Sequence, residues 1–152
     1  MGELDGRVAL VTGSSSGIGE ATARRLSELG ANVVVNSSSS VEAGEAVAAS
    51  LPTKSLYVQG DIADAGQRQN LVAATVEQFG RLDVLVNNAG WTTVVPHDDL
   101  DALTDEIFRK TFEVNVFGTW WLTKAATPYL RRSPDPNIVV VPDQAAVRPR
   151  PA

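Results

Sequence analysis

Cysteine is absent from all 152 residues, and histidine and methionine occur once each. Without cysteine there is no disulfide framework, no thiolate nucleophile and no sulfur-ligated zinc site. The single histidine, His97, cannot assemble a metal cluster, and its Pro-His-Asp-Asp setting reads as a surface loop. Excess positive charge is also missing: 13 Lys and Arg stand against 18 Asp and Glu, a formal net charge of −5. That balance argues against nucleic acid as a partner, because such binding needs a basic surface to displace counterions. No apolar run approaches the ~20 residues that cross a bilayer. The first seven residues lack the basic start and apolar core of a signal peptide, and the acidic residue after Gly2 argues against lipidation. The expectation is a cytoplasmic chain with no membrane partner. With 43% hydrophobic residues, it has the means to bury one core.

Short apolar runs alternate with longer periodic segments. Runs at residues 8–11, 32–35, 55–58, 84–86 and 137–141 predict strands. Helices are predicted over residues 18–29, closed by Gly30, and over 41–50, where Val41, Ala48 and Leu51 form an apolar stripe. A third covers 65–79, with Leu71, Val72, Thr75, Val76 and Phe79 at helical spacing, and a fourth runs from Leu103 to Leu130. Such alternation implies right-handed crossovers and an α/β fold, a doubly wound parallel sheet with helices on both faces. Ligands of such sheets sit beyond the carboxyl ends of the strands, where strand order reverses. Prolines 142, 149 and 151 forbid a regular helix at the end. The chain therefore divides into a domain over residues 1–141 and an irregular tail over 142–152.

Two segments carry chemistry. Thr12-Gly-Ser-Ser-Ser-Gly-Ile-Gly19 lies between the first strand and the first helix. A glycine-rich turn there presents converging amides and the positive end of a helix dipole, a cradle for phosphate. Gly13 serves the tight turn, Gly17 the close approach of a pyrophosphate, and Gly19 helix-on-strand packing. The second segment, Asp83-Val-Leu-Val-Asn-Asn-Ala-Gly90, is a buried strand ending in two amides and a glycine. Asn87 and Asn88 either pin neighbouring backbone or a ribose hydroxyl, or merely cap the strand and make a turn. The acids Asp98, Asp99, Asp101, Asp105 and Glu106 fit helix N-termini better than a metal site, so no metal is expected. Trp120 and Trp121, adjacent on the fourth helix, are expected in the core.

These segments, with Asp61 in Gln-Gly-Asp-Ile and Asn115 in Glu-Val-Asn-Val-Phe-Gly, closely resemble the short-chain dehydrogenase/reductase family, in its order and spacing, over residues 6–141. The resemblance implies a Rossmann-type sheet in order 3-2-1-4-5 with the later strands missing, and a nicotinamide dinucleotide as ligand. It implies that Gly13, Ser15, Ser16, Gly17, Ile18 and Gly19 lie along the pyrophosphate and adjoining ribose. Asp61 then meets the adenine amino group, with Ile62 against the ring, while Asn88, Ala89 and Gly90 border the ribose nearest the nicotinamide. Asn115 matches the asparagine that anchors a proton-relay water; read from the residues alone, it is a mid-helix amide bonding locally. Cofactor choice turns on Asn36, Ser37 and Ser38 after the second strand. No acid stands there to repel a 2′-phosphate, and hydroxyls from Ser37 to Ser39 offer donors, which favours NADP(H) over NAD(H). No Lys or Arg occupies that loop or the glycine turn.

The family's hydride chemistry uses a Tyr with a Lys four residues later and a Ser. A phenol near its ordinary pKa of about 10 is a poor base at neutral pH without a neighbouring cation. Here Tyr57 is followed four positions on by Asp61, and Tyr129 by Ser133. Pro142 and Asp143 stand where the family's serine pair is expected, and a carboxylate there repels a developing alkoxide. The expectation is a truncated cofactor-binding portion of an NAD(P)-dependent oxidoreductase, inactive alone, with a small-molecule substrate only in a full-length relative. The alternative is a non-catalytic nucleotide-binding or dimerisation module, a homo-oligomer through the 103–130 helix. A methyltransferase is disfavoured by the Asn-Asn-Ala-Gly segment and the missing acid.

Overall fold

The computed structural model describes residues 2–142. Its strands are β1 (Val8–Val11), β2 (Asn32–Ser37), β3 (Ser55–Gln59), β4 (Val84–Asn87) and β5 (Asn137–Val140). They form one parallel sheet in order β3-β2-β1-β4-β5. The unbroken apolar runs of β1 and β2 are those of strands buried on both faces. Side chains alternate between two cores. Ala9, Val11, Val33 and Val84 pack against α1 (Gly17–Glu28) and α2 (Val41–Ser50). Leu10, Val34 and Leu85 pack on the other face against α3 (Ala65–Phe79) and α5 (Thr119–Leu130).

Helices α2 and α3 span the predicted residues, but α2 buries Gly44, Val47 and Ala48 rather than a stripe starting at Val41. A Cβ at Gly44 would collide with the Tyr57 ring, so the glycine lets that face of α2 pack against β3. Strand β2 runs two residues past its predicted end, because Asn36 and Ser37 continue the ladder opposite Val58 and Gln59. The fourth predicted helix is not one helix. A 3₁₀ turn (Leu100–Ala102) precedes α4 (Asp105–Phe112), whose first turn is capped by Thr104, accepting from the Ile107 amide. A π-helical turn (Glu113–Gly118) then joins α4 to α5. Among the acids, Asp99 caps the 3₁₀ turn and Asp105 and Glu106 occupy the first turn of α4. The tryptophans correct the expectation of burial: Trp120 is 60% and Trp121 43% exposed. Leu122, Ala126 and Leu130, at i, i+4 and i+8, take the sheet-facing stripe of α5 and leave both indoles outside. Of the expected tail, Pro142 is described, and Asp143 with the residues after it lies outside the described residues.

The amino end of the sheet is tied by one carboxylate. Asp83 is fully buried. It accepts from the Val8 amide (2.9 Å), from Arg81 Nε and Nη2 (2.8 and 2.7 Å) and from Ser133 Oγ (2.5 Å). Its own backbone pairs with Val8 and Asn137, so β1, β4 and β5 meet at one residue. Burial pushes this carboxyl up, but the Arg81, Ser133 and Val8 hydrogen bonds outweigh it and hold the pKa below the ordinary 3.8. A depressed carboxyl stabilises the fold fully above its unfolded-state pKa, and that share is lost as pH falls towards the native value. We expect Asp83→Asn to cost about 1–3 kcal/mol in denaturant unfolding at pH 7, because the amide turns one buried acceptor oxygen into a donor and leaves part of the Val8, Arg81 and Ser133 set unpaired. Melting curves should show the wild type losing stability as pH drops below about 4, with that part of the acid slope missing in the variant.

Candidate functional site

The order of the sheet reverses between β1 and β4, which opens a crevice beyond their carboxyl ends. Thr12, fully buried, closes its floor. Its hydroxyl accepts from the Asn88 and Ala89 amides (3.0 and 2.9 Å) and donates to the Val86 carbonyl (3.4 Å). Asn88 answers with its side-chain amide, donating to the carbonyls of Thr12 and Gly13, each at 3.0 Å. Of the two alternatives for this residue, pinning of neighbouring backbone is the one observed.

Gly13 has φ +60°, and a Cβ there would stand 2.9 Å from the Ala89 Cα. A Cβ at Gly19 would collide with the Gly13 carbonyl and the Asn88 amide, so the helix packs on the turn itself. Gly17 is different: nothing lies within 4 Å of the space before it. Ser16, the N-cap of α1, makes no side-chain capping bond, and neither does Ser40 at the start of α2. By contrast, Asp64 caps α3 by accepting from Gln67. Two helix N-termini without side-chain caps thus flank the crevice, a setting that favours anions.

A cavity of about 380 Å³ occupies this place. The glycine turn lines it with Gly13, Ser15 and Ser16; the end of β2 contributes Asn36, Ser37 and Ser38, followed by Ser40. Asp61 and Ile62 form another wall, and Asn88, Ala89 and Gly90 the floor. Gly17 and Ile18 are exposed and Gly19 is buried; none of the three lines this cavity. Asn36 borders the cavity with its side chain already engaged. Its Nδ2 donates to the carbonyls of Val58 (3.1 Å) and Gly60 (3.0 Å), and its Oδ1 accepts from the Gly13 amide (3.3 Å). Ser37 Oγ pairs with the Tyr57 hydroxyl at 2.8 Å. Of the expected hydroxyl donors from Ser37 to Ser39, Ser37 and Ser38 line the cavity and Ser39 does not, while Ser40 joins them; Ser37 keeps an O–H to donate when Tyr57 is the donor of their shared bond. Asp61 Oδ1 accepts from the Ala63 amide at 2.8 Å.

A second cavity of about 600 Å³ shares the wall of residues 88–91 and adds Ile18, Asn87 and Asn115. Asn115 sits in the π-helical turn, yet its side chain does not bond within its own helix. Its Oδ1 accepts from the Trp91 amide (2.7 Å) and its Nδ2 donates to the Trp91 carbonyl (2.8 Å). Asn87 donates through Nδ2 to Thr123 Oγ1 (3.1 Å), and its Oδ1 is the one buried side-chain atom among the described residues without a partner. An orphan acceptor on a cavity wall suits a ligand donor or water. Trp91, Lys110 and Val114 also line the first cavity and were not singled out from the sequence. Lys110 and Val114 stand one turn apart, and Asn115 follows, which is the only signal the sequence offered for them. No helix among the described residues is long and apolar enough to cross a membrane.

The family model for short chain dehydrogenases matches residues 7–152. A Streptomyces violaceoruber protein named as ketoacyl reductase 2 of the granaticin polyketide synthase is 53% identical over 142 residues, covering 93% of this chain and 57% of that one. A short chain dehydrogenase from Burkholderia cenocepacia J2315, solved in complex with NADP, superposes with TM-score 0.88 at 38% identity, covering 98% of this chain and 60% of that one. A 7α-hydroxysteroid dehydrogenase complexed with NADH and 7-oxo glycochenodeoxycholic acid gives TM-score 0.86 at 28% identity, covering 95% and 56%. This chain spans about half the length of the curated relatives it matches. The sheet order, the glycine turn and this match agree: the chain belongs to the short-chain dehydrogenase family.

Proposed function

We propose that this chain holds a nicotinamide dinucleotide in the glycine-turn cavity and, as these 152 residues stand, does not turn it over. The observation that carries the first half is the pair of helix N-termini at Ser16 and Ser40, both without side-chain caps and both lining one cavity. The open space before Gly17 suits a pyrophosphate against the amides of α1. Gly13, Ser15, Ser16, Ile18 and Gly19 shape that end; Asp61 and Ile62 take the adenine; Asn88, Ala89 and Gly90 border the second ribose. When bound, the nicotinamide supplies a hydride donor or acceptor. NADP(H) is favoured over NAD(H), since Ser38, Ser40 and the α2 N-terminus face the cavity and no acid stands among Asn36, Ser37 and Ser38. Asn115 stands as a remnant of the family's relay, its side chain holding the Trp91 backbone.

The second half rests on side chains. Neither Tyr57 nor Tyr129 has a Lys four residues on. Tyr57 sits on β3 with its hydroxyl on Ser37, so no phenol is poised for general acid–base work. Hydride transfer to a carbonyl or from an alcohol belongs, on this reading, to full-length relatives. We place the chain in the cytoplasm, which its cysteine-free composition suits.

A self-association role has its own support. Phe108 and Phe112 stack at 5.4 Å and Phe117 lies 6.5 Å from Phe112, all of them 42–53% exposed and continuous in sequence with exposed Trp120 and Trp121. A second copy is the occupant we propose for this aromatic face.

Calorimetric titration should detect saturable NADPH binding that is weakened at least about tenfold in Gly19→Val, whose side chain would displace Gly13 and Asn88. No binding at millimolar cofactor would sink the proposal. Steady-state assays with carbonyl substrates should record no cofactor oxidation above background; turnover would overturn the claim of inactivity. Sedimentation should show dimers that dissociate in Phe112→Glu, with the wild type monomeric at ~100 μM as the contradicting result.

A further inference from the structure

A separate cavity of about 390 Å³ lies at the amino end of the sheet, at the other end of the strands from the glycine turn. Arg81 and Leu82, on the way into β4, line one side, and Arg132 and Ser133, between α5 and β5, line the other. Tyr129 adds a ring from the last turn of α5. The charge of this lining is one-sided: it includes two arginines and, among the described residues, no Asp or Glu. That contrasts with a chain whose net charge is −5. Two guanidinium groups bordering one cavity repel each other unless an anion stands between them. Arg81 is fixed by the buried Asp83, to which it donates through Nε and Nη2, leaving Nη1 for another acceptor. Both Asp83 oxygens are further engaged, by the Val8 amide and the Ser133 hydroxyl. Arg132 enters none of the four salt bridges among the described residues, and its guanidinium carbon lies 5.6 Å from the centroid of the Tyr129 ring. A cation in that seat is favoured by the ring quadrupole. A helix C-terminus attracts cations on its own account, and Arg131 meets that need: it is the C-cap of α5 and does not line the cavity. The carbonyls of Thr127, Tyr129 and Leu130 are met as well, by the amides of Arg131, Arg132 and Ser133. The Arg132 side chain is left to the cavity.

We propose that this cavity binds a small oxyanion, a phosphate or carboxylate group, between Arg81 and Arg132. A planar guanidinium presents paired N–H donors that match two oxygens of either group. Arg81 is already held in place by Asp83, so Arg132 is the one long side chain that binding has to order. The anion would also stand beside the carboxylate that joins β1, β4 and β5. A ligand that binds the folded chain alone stabilises it by mass action, so occupancy should raise the melting temperature. The site is independent of the dinucleotide cavity and is tested separately from it.

Amide spectra of the ¹⁵N-labelled 152-residue chain, titrated with inorganic phosphate and separately with succinate, test this, with sodium chloride holding the ionic strength constant. Wild type is compared with Arg132→Met and Arg132→Lys. Arg132 is exposed, so both variants should keep the circular dichroism and melting temperature of the anion-free wild type. We expect saturable shifts at the amides of residues 80–82 and 132–133, half-complete at about 1–10 mM anion. Arg132→Met should weaken them at least about fivefold, and Arg132→Lys less, since an ammonium keeps the charge and loses the fork. Against chloride of equal ionic strength, about 50 mM phosphate should raise the melting temperature of wild type and not of Arg132→Met. Saturation at lower phosphate than succinate identifies a phosphoryl ligand, and the reverse order a carboxylate; either supports the site. No saturation at these amides by about 100 mM of either anion overturns the proposal, as do equal shifts with chloride alone or shifts unchanged in Arg132→Met. Shifts confined to residues 13–19 overturn it too, and leave the dinucleotide reading intact.

Discussion

The Thr12 hydroxyl is the point on which the crevice depends. Two backbone amides, those of Asn88 and Ala89, donate to it, and both belong to the segment leaving β4. The same residue's carbonyl, with that of Gly13, receives the Asn88 side chain. These bonds fasten the ends of β1 and β4 at the place where the sheet's order reverses. Everything that faces the cavity hangs from them: the turn of α1 lies on Gly13 and Asn88, and Asn36 donates and accepts beneath the turn. Buried hydrogen bonds of this kind add little net stability each, but leaving one of their partners unpaired is expensive. Geometry, more than energy, is what they supply.

With the floor fixed, the electrostatics follow from the backbone. Helices α3 and α4 close their own first turns with Asp64 and Thr104. The two helices that open onto the cavity have serine N-caps whose hydroxyls make no such bond. The positive ends of α1 and α2 are left for whatever enters. At the other end of the strands the buried Asp83 joins β1, β4 and β5. Rigidity at the amino ends and open donors at the carboxyl ends make a holder. The proposed lack of turnover rests on the two tyrosines, neither of which has a Lys four residues on.

Much of this was legible in the sequence for physical reasons. Apolar runs with turn residues between them are read by period and length, so the five strands, α2 and α3 stand where expected. The glycines and Asn88 were legible because their spacing serves local backbone geometry. What escaped notice depends on distance across the fold. Asn36 is a buried structural amide because β3 passes beside it, and Ser37 is engaged because Tyr57 does. The π-helical turn arises in a stretch whose residue preferences are ordinary for a helix, and Asn115 marks it by a bond to Trp91, 24 residues away. Trp120 and Trp121 face outward because the leucine stripe of α5 had already claimed the sheet. Lys110 lines the cavity through tertiary packing, which no local pattern records.

The central claim, that the glycine turn and the α2 N-terminus together hold a nicotinamide dinucleotide, is tested most directly by amide resonances. In a ¹⁵N-labelled sample titrated with NADPH, the account predicts saturable shifts at the amides of residues 13–19 and 38–43, with those of α3 and α5 unmoved. Unchanged spectra, or shifts centred on another surface, would contradict it.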